Sequence, residues 1–172
     1  MKRTLKSLTI EELRELITSL GKASSENAAL IKMYLDKSQS GCLDDFKNRI
    51  DKALSKNKWS FREVRHTLSI FKRFAVKPEE IAELYVYAVE SGNKITMMYG
   101  DIDENYYIAM ENLYEDACKI VAALTNSTYA DDLKRHLKDL VDLTKGIGWG
   151  YHDTLDELYY EYFGSSPDLA GN

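Results

Sequence analysis

Residues 103–124 contain the run Tyr106-Tyr107-Ile108-Ala109-Met110-Glu111-Asn112-Leu113-Tyr114, in which apolar side chains recur at intervals of three and four. Tyr107, Met110, Tyr114, Ala117 and Val121 share one stripe of a helix, and Tyr106, Leu113, Ile120 and Leu124 share a second. A helix with two apolar stripes must bury both, so this segment is expected at the centre of a helical core. The acidic turn before it, Gly100-Asp101-Ile102-Asp103-Glu104, supplies Asp101 or Asp103 as a cap and sets Glu104 against the positive end of the helix dipole.

Working upstream, Pro78 opens a helix carrying Ile81, Leu84, Tyr85, Ala88 and Val89, because proline is tolerated where the first-turn N–H has no partner. Ser91-Gly92 is expected to end it before a short piece from Lys94 to Tyr99. Ser60 with Glu63 spells a capping box ahead of Phe61, Val64, Leu68 and Phe71. Before that come a stripe of Leu43, Phe46, Ile50, Ala53 and Leu54, a break over 38–41, and a helix after Ser25 expected to turn Ile31, Tyr34 and Leu35 inward. Thr9 with Glu12 caps the first helix, and Gly21 is expected to stop it by adopting a left-handed conformation.

Downstream, a helix from about Thr128 buries Leu133, Leu137, Leu140 and Val141 and is expected to end at Gly146. The link Gly146-Ile147-Gly148-Trp149-Gly150-Tyr151-His152 is expected to release that helix and aim Trp149 into the core. Thr154 with Glu157 then spells a third capping box, followed by inward-facing Leu155, Leu158, Tyr159, Tyr162 and Phe163. The fold class is therefore all-α, with about eight antiparallel amphipathic helices in a bundle or a short α-α superhelix. Residues 1–164 are expected to form one domain and 165–172 a flexible tail.

Composition narrows the function classes. In 172 residues with 44% hydrophobic and 30% charged side chains, a core can form without disulfides or a structural metal. Cys42 and Cys118 lie far apart with no Cys-x-x-Cys motif, so reduced thiols and a cytoplasmic location are expected. Met1-Lys2-Arg3 is not followed by the apolar stretch of a signal peptide, and no membrane-spanning run occurs. The net charge of -5 is segregated: residues 47–77 hold ten Lys or Arg against two acids, whereas 78–172 hold six against nineteen. Arg62, Arg65, His66, Ser69, Lys72 and Arg73 fall on one helical side as a positive ridge. Such a ridge can displace counterions from phosphates, or it can simply be a solvated face that balances the acidic half. Eleven of the twelve tyrosines lie from Tyr85 onward, away from the ridge, which fits stacking on single strands poorly.

Motifs for chemistry are incomplete. Asp101, Asp103 and Asn105 begin like a calcium loop, but Tyr106 stands where such a loop needs glycine and Asn112 where it needs a bidentate Glu. His152-Asp153 pairs an imidazole with a carboxylate, yet adjacent residues rarely face each other. Gly146, Gly148 and Gly150 have the spacing of a phosphate cradle without the strand before it or the lysine after it. What stands out is two loops dense in aromatic and acidic residues at helix ends, the kind of surface on which recognition is found.

The strings Tyr99-Gly100-Asp101-Ile102-Asp103-Glu104 and Ile147-Gly148-Trp149-Gly150-Tyr151-His152-Asp153, with Leu8-Thr9-Ile10-Glu11-Glu12-Leu13, resemble a family of small uncharacterised bacterial helical proteins, domain of unknown function 6155. The resemblance implies a bacterial cytoplasmic protein and carries no activity, cofactor or catalytic residue.

The expectation is thus a non-enzymatic helical protein-interaction module using its acidic, tyrosine-rich C-terminal half. Its candidate partner-binding residues are Tyr99, Asp101, Asp103, Glu104, Trp149, Tyr151 and His152. A protein partner is expected and a membrane is not; no catalytic residue, metal ligand or cofactor is assigned. Two alternatives stand beside it. One is a metal-assisted, hydrolase-like site assembled from Asp101, Asp103, Glu104 and His152, which requires the two loops to converge. The other is nucleic-acid or anion binding along 47–77 through Arg62, Arg65, Lys72 and Arg73.

Overall fold

The computed structural model describes residues 5–35, 40–55, 59–75, 77–125 and 127–164. Among them are eight helices and no strand: α1 (Ile10–Ala23), α2 (Ser25–Leu35), α3 (Ser40–Leu54), α4 (Phe61–Phe74), α5 (Pro78–Tyr99), α6 (Glu104–Ala122), α7 (Ser127–Asp142) and α8 (Tyr151–Phe163). The all-α class holds. Where the sequence reading takes 1–164 as one domain, the chain divides into two compact units, Met1–Asp45 and Phe46–Asn172. The expected tail over 165–172 and residues 38–39 of the expected break lie outside the described residues.

In the first unit α1 packs on α2. The Thr9 box forms in full, with the Glu12 N–H donating to Thr9 Oγ1 at 3.2 Å and the Thr9 N–H to Glu12 Oε2 at 2.7 Å. Gly21 does not stop α1, which runs on to Ala23. A Cβ at Gly21 would stand 3.4 Å from Ile31 Cδ1, an ordinary contact, so the space there does not itself require glycine. Tyr34 and Leu35 do not turn inward: Tyr34 is 90% exposed, and the buried positions of α2 are Ala29 and Met33, one turn apart. Eleven residues make only three turns, and the pair four apart takes the buried face.

The second unit is built around α6, which packs on α5, α7 and α8. The first of its stripes is buried throughout, Tyr107, Met110, Tyr114, Ala117 and Val121; of the second, Tyr106 and Leu113 are buried, Ile120 is half-buried and Leu124 lies past the helix end at Ala122. Asp103 accepts the Tyr106 N–H at 2.9 Å as its N-cap. From α3, Phe46, Ile50, Ala53 and Leu54 are buried as expected, with Phe46 edge-on to Phe71 of α4 at 5.1 Å. Ser60 accepts the Glu63 N–H at 3.3 Å and opens α4.

The largest departure is at Ser91-Gly92. No break occurs, and α5 is one helix of 22 residues. Glycine costs about 1 kcal/mol in a helix interior, but packing explains it here. A Cβ at Gly92 would lie 2.2 Å from Met110 Sδ, and the Tyr106 hydroxyl donates to the Gly92 carbonyl at 2.8 Å. The third capping box is also absent, because α8 starts at Tyr151, behind Gly150 in the left-handed region at φ 69°. Thr154 therefore falls inside the helix, donating to the Gly150 carbonyl at 3.2 Å.

Glu83 of α5 joins three helices. It receives Lys47 Nζ of α3 at 2.6 Å and the Tyr129 hydroxyl of α7 at 2.8 Å. Burial pushes its carboxyl up, but these two hydrogen bonds outweigh burial and hold it below its ordinary 4.5. A depressed carboxyl stabilises the fold above the unfolded value and loses that contribution as pH falls through the folded value. Glu83→Gln is expected to cost about 1 kcal/mol at neutral pH, discounted for partial exposure. Urea denaturation should show the gap to wild type narrowing as pH falls below 4.5; a gap independent of pH would contradict the assignment.

Candidate functional site

The two acidic, aromatic loops do meet. A Cβ at Gly148 would lie 3.0 Å from Asp101 Oδ2, so glycine at 148 lets the second loop lie against the Asp101 carboxylate of the first. Tyr107 closes the floor of this contact: it accepts the Ile102 N–H at 3.2 Å, and its hydroxyl is raised by burial first and by the Asp101 carboxylate among lesser causes.

Each remaining candidate there has a local task. Asp103 is the cap of α6, and Glu104 lies exposed in its first turn. Tyr151 is fully buried, stacks near Tyr107 with ring centroids 4.9 Å apart, and donates to Asn93 Oδ1 at 2.7 Å. His152 Nδ1 lies 3.1 Å from both Thr144 Oγ1 and the Val141 carbonyl, bridging the end of α7 to the start of α8. Among the described residues no three of His, Cys, Asp and Glu are placed to hold a metal ion. The four-residue metal centre drawn from the sequence is therefore not assembled: capping and helix-end bonds take up Asp103 and His152.

Trp149 corrects another expectation. It is 58% exposed, not in the core, and holds a positive φ of 64°. Tyr151, two residues on, fills the interior instead.

The basic ridge is exposed along α4, and Arg65 is committed to Asp116 of α6 at 3.0 Å. Part of the ridge thus balances the acidic half of the same unit. Arg62, Lys72 and Arg73 have no ion pair among the described residues. Cys118 is buried in α6, and burial pushes its thiol up to about 12, so at neutral pH it is an inert protonated side chain.

A cleft of about 640 Å³ lies elsewhere, between the end of α3, the entry to α4 and the second half of α5. Leu54, Ile95 and Met98 give it an apolar wall, and Trp59, Tyr87 and Tyr99 its rings. Trp59 is held in place by an edge contact to Tyr106 at 5.3 Å and stands 6.0 Å from Tyr99 with the rings inclined at 56°.

The polar lining is sparse: Asp51, Ser55, Ser91 and Lys94. Asp51 Oδ2 accepts the Tyr87 hydroxyl at 2.7 Å, and Oδ1 accepts Ser91 Oγ at 3.2 Å. Burial first, and then the Asp51 carboxylate, hold the Tyr87 hydroxyl above its ordinary range, so it stays a donor at any physiological pH. Lys94 is paired with Glu90 at 2.7 Å. Asp51 is hydrogen-bonded only through neutral hydroxyls and has no ion pair among the described residues.

Of the candidate partner-binding residues, only Tyr99 lines this cleft. The signal for the rest was present: Tyr87, Ser91, Ile95 and Tyr99 are spaced by four, a single stripe of one helix. The expected break at Ser91-Gly92 cut that stripe in two. A smaller hollow of about 370 Å³ lies between Glu90, Met97, His136, Asp139 and Leu143, where Glu90 is paired with Lys94 at 2.7 Å and lies 3.5 Å from His136 Nε2.

Comparison of the chain with protein-family models, curated proteins and solved structures yields no match.

Proposed function

We propose that the protein is a non-enzymatic recognition module whose binding site is the cleft between α3, Trp59 and α5. The observation that carries this reading is the pairing of an open apolar, aromatic-lined cleft with one oriented carboxylate, Asp51, that has no ion pair among the described residues. Binding sites are mostly apolar with a few placed polar groups, and aromatic anchors dominate the energetics of partner surfaces. The loops at 99–104 and 146–153 share one contact, but Asp103, Tyr151 and His152 are spent on caps and interior bonds. The partner surface therefore moves from the acidic C-terminal half to this cleft, of which Tyr99 is the shared residue. A cytoplasmic location fits two buried cysteines, Cys42 and Cys118, that are not joined in a disulfide.

Met98 and Tyr99 are exposed on the cleft rim at 74% and 68%, so replacing both by Ala leaves the core untouched. The Met98→Ala/Tyr99→Ala protein is expected to fold with wild-type circular dichroism and to lose about tenfold in partner recovery from cell extract. Asp101→Ala/Trp149→Ala is expected to retain recovery. The reverse pattern would place the partner on the acidic loops and overturn this reading.

A further inference from the structure

We infer that the cleft recognises an alkylammonium group, with the cation at Asp51 and its apolar stem along Ile95 and Met98. The inference rests on the cleft being the binding site and names what that site selects. Three observations point to a cation.

First, Asp51 is a preformed anion. Its two oxygens are fixed by Tyr87 and Ser91, which orient the carboxylate without neutralising it, and each carboxylate oxygen has a second lone pair for an incoming donor. A charge-assisted bond from an ammonium to such an oxygen is roughly twice as strong as a neutral one.

Second, the rings are arranged to attract positive charge. Trp59 and Tyr99 form a corner at 56°, and a cation near ring faces is drawn by their quadrupoles. Tyr87 already shows this preference, since Lys47 Nζ sits 5.2 Å from its ring centroid.

Third, the lysine in the lining does not oppose a cation at full strength. Lys94 is held by Glu90 at 2.7 Å, and Lys47 by Glu83 at 2.6 Å, so among the described residues Asp51 is the charge in the lining without a counterion. An anionic ligand would have to displace Glu90 and lie beside Asp51.

A lysine side chain of a partner protein and a free alkylamine share this chemistry. Both are testable with Trp59 emission, because the chain has two tryptophans and Trp149→Phe leaves Trp59 as sole reporter. In that background, hexylammonium and hexyltrimethylammonium are expected to perturb Trp59 with a Kd at least about tenfold below that of hexanol, and hexanoate to bind more weakly still. Asp51→Asn is expected to remove most of the preference for the ammonium probes over hexanol.

If Trp59 responds equally to hexanol, hexanoate and the ammonium probes, the cation inference is overturned and the cleft reading survives. If Trp59 responds to none of them at millimolar concentration, both are overturned. A Gly-Lys-Gly peptide with blocked ends binding more tightly than hexylammonium assigns the cation to a partner's lysine; the opposite order assigns it to a small free amine.

Discussion

Gly92→Val is expected to destabilise the second unit by about 3 kcal/mol, the upper end of what overpacking a filled core costs. The Cβ alone would fall 2.2 Å from Met110 Sδ and 2.5 Å from Met110 Cε, and valine adds two methyl groups in the same space. Met110 is itself buried among the α6 side chains, so it has no open volume to retreat into. Gly92→Ala should cost less, because about 1 kcal/mol of helix propensity is regained. Urea denaturation followed by circular dichroism measures both. A valine variant as stable as wild type would mean that α5 and α6 do not approach at Gly92.

Asn93→Leu is expected to cost a similar amount for a different reason. The Asn93 amide donates to the Leu140 carbonyl at 3.3 Å and accepts the Tyr151 hydroxyl at 2.7 Å, all in the interior. Leucine strands both partners, and each unsatisfied buried group costs about 1–3 kcal/mol. Tyr151→Phe removes only one bond, so about 1–2 kcal/mol is expected from it. The double variant should lose less than the sum, since the two share one bond. Strict additivity would show that Asn93 and Tyr151 do not act together. Gly92 and Asn93 thus clamp one side of α5 to its neighbours, and this fixes which way Tyr87, Ser91, Ile95 and Tyr99 face.

The helices were legible wherever hydrophobic spacing alone decides. The first stripe of α6, the Tyr106–Leu113 part of its second, the stripe of α3 and the cap at Asp103 follow from period and hydrogen-bond chemistry, and the structure contains them. Glycines were the weak point. Gly21 and Gly92 carry the composition signal of a helix end, yet both lie inside helices, and at Gly92 the Met110 side chain occupies the space a Cβ would take. Local sequence does not distinguish a glycine needed for its backbone from one needed for its missing side chain. Gly150 was the reverse case: its left-handed conformation opens α8 at Tyr151, three residues ahead of the Thr154 cap that the pattern suggested.

The site suffered from the same confusion. Tyr99 stands in an acidic, aromatic stretch of the sequence, and it does line the cleft. Asp51, Trp59 and Tyr87 share no such stretch, because they come from α3, the α3–α4 connection and α5 and meet only in three dimensions. Asp103, Tyr151 and His152 drew attention by chemical type, but the fold uses them as cap, core and helix-end staple.

The two tryptophans mark the two competing surfaces, Trp59 in the cleft and Trp149 on the loop beside Asp101. Their indole N–H resonances can be followed together in one nitrogen–proton correlation spectrum while hexylammonium is added to the wild-type protein. The account predicts that the Trp59 indole signal shifts in a saturable way while the Trp149 signal stays fixed. A shift of Trp149 with Trp59 unmoved would contradict it.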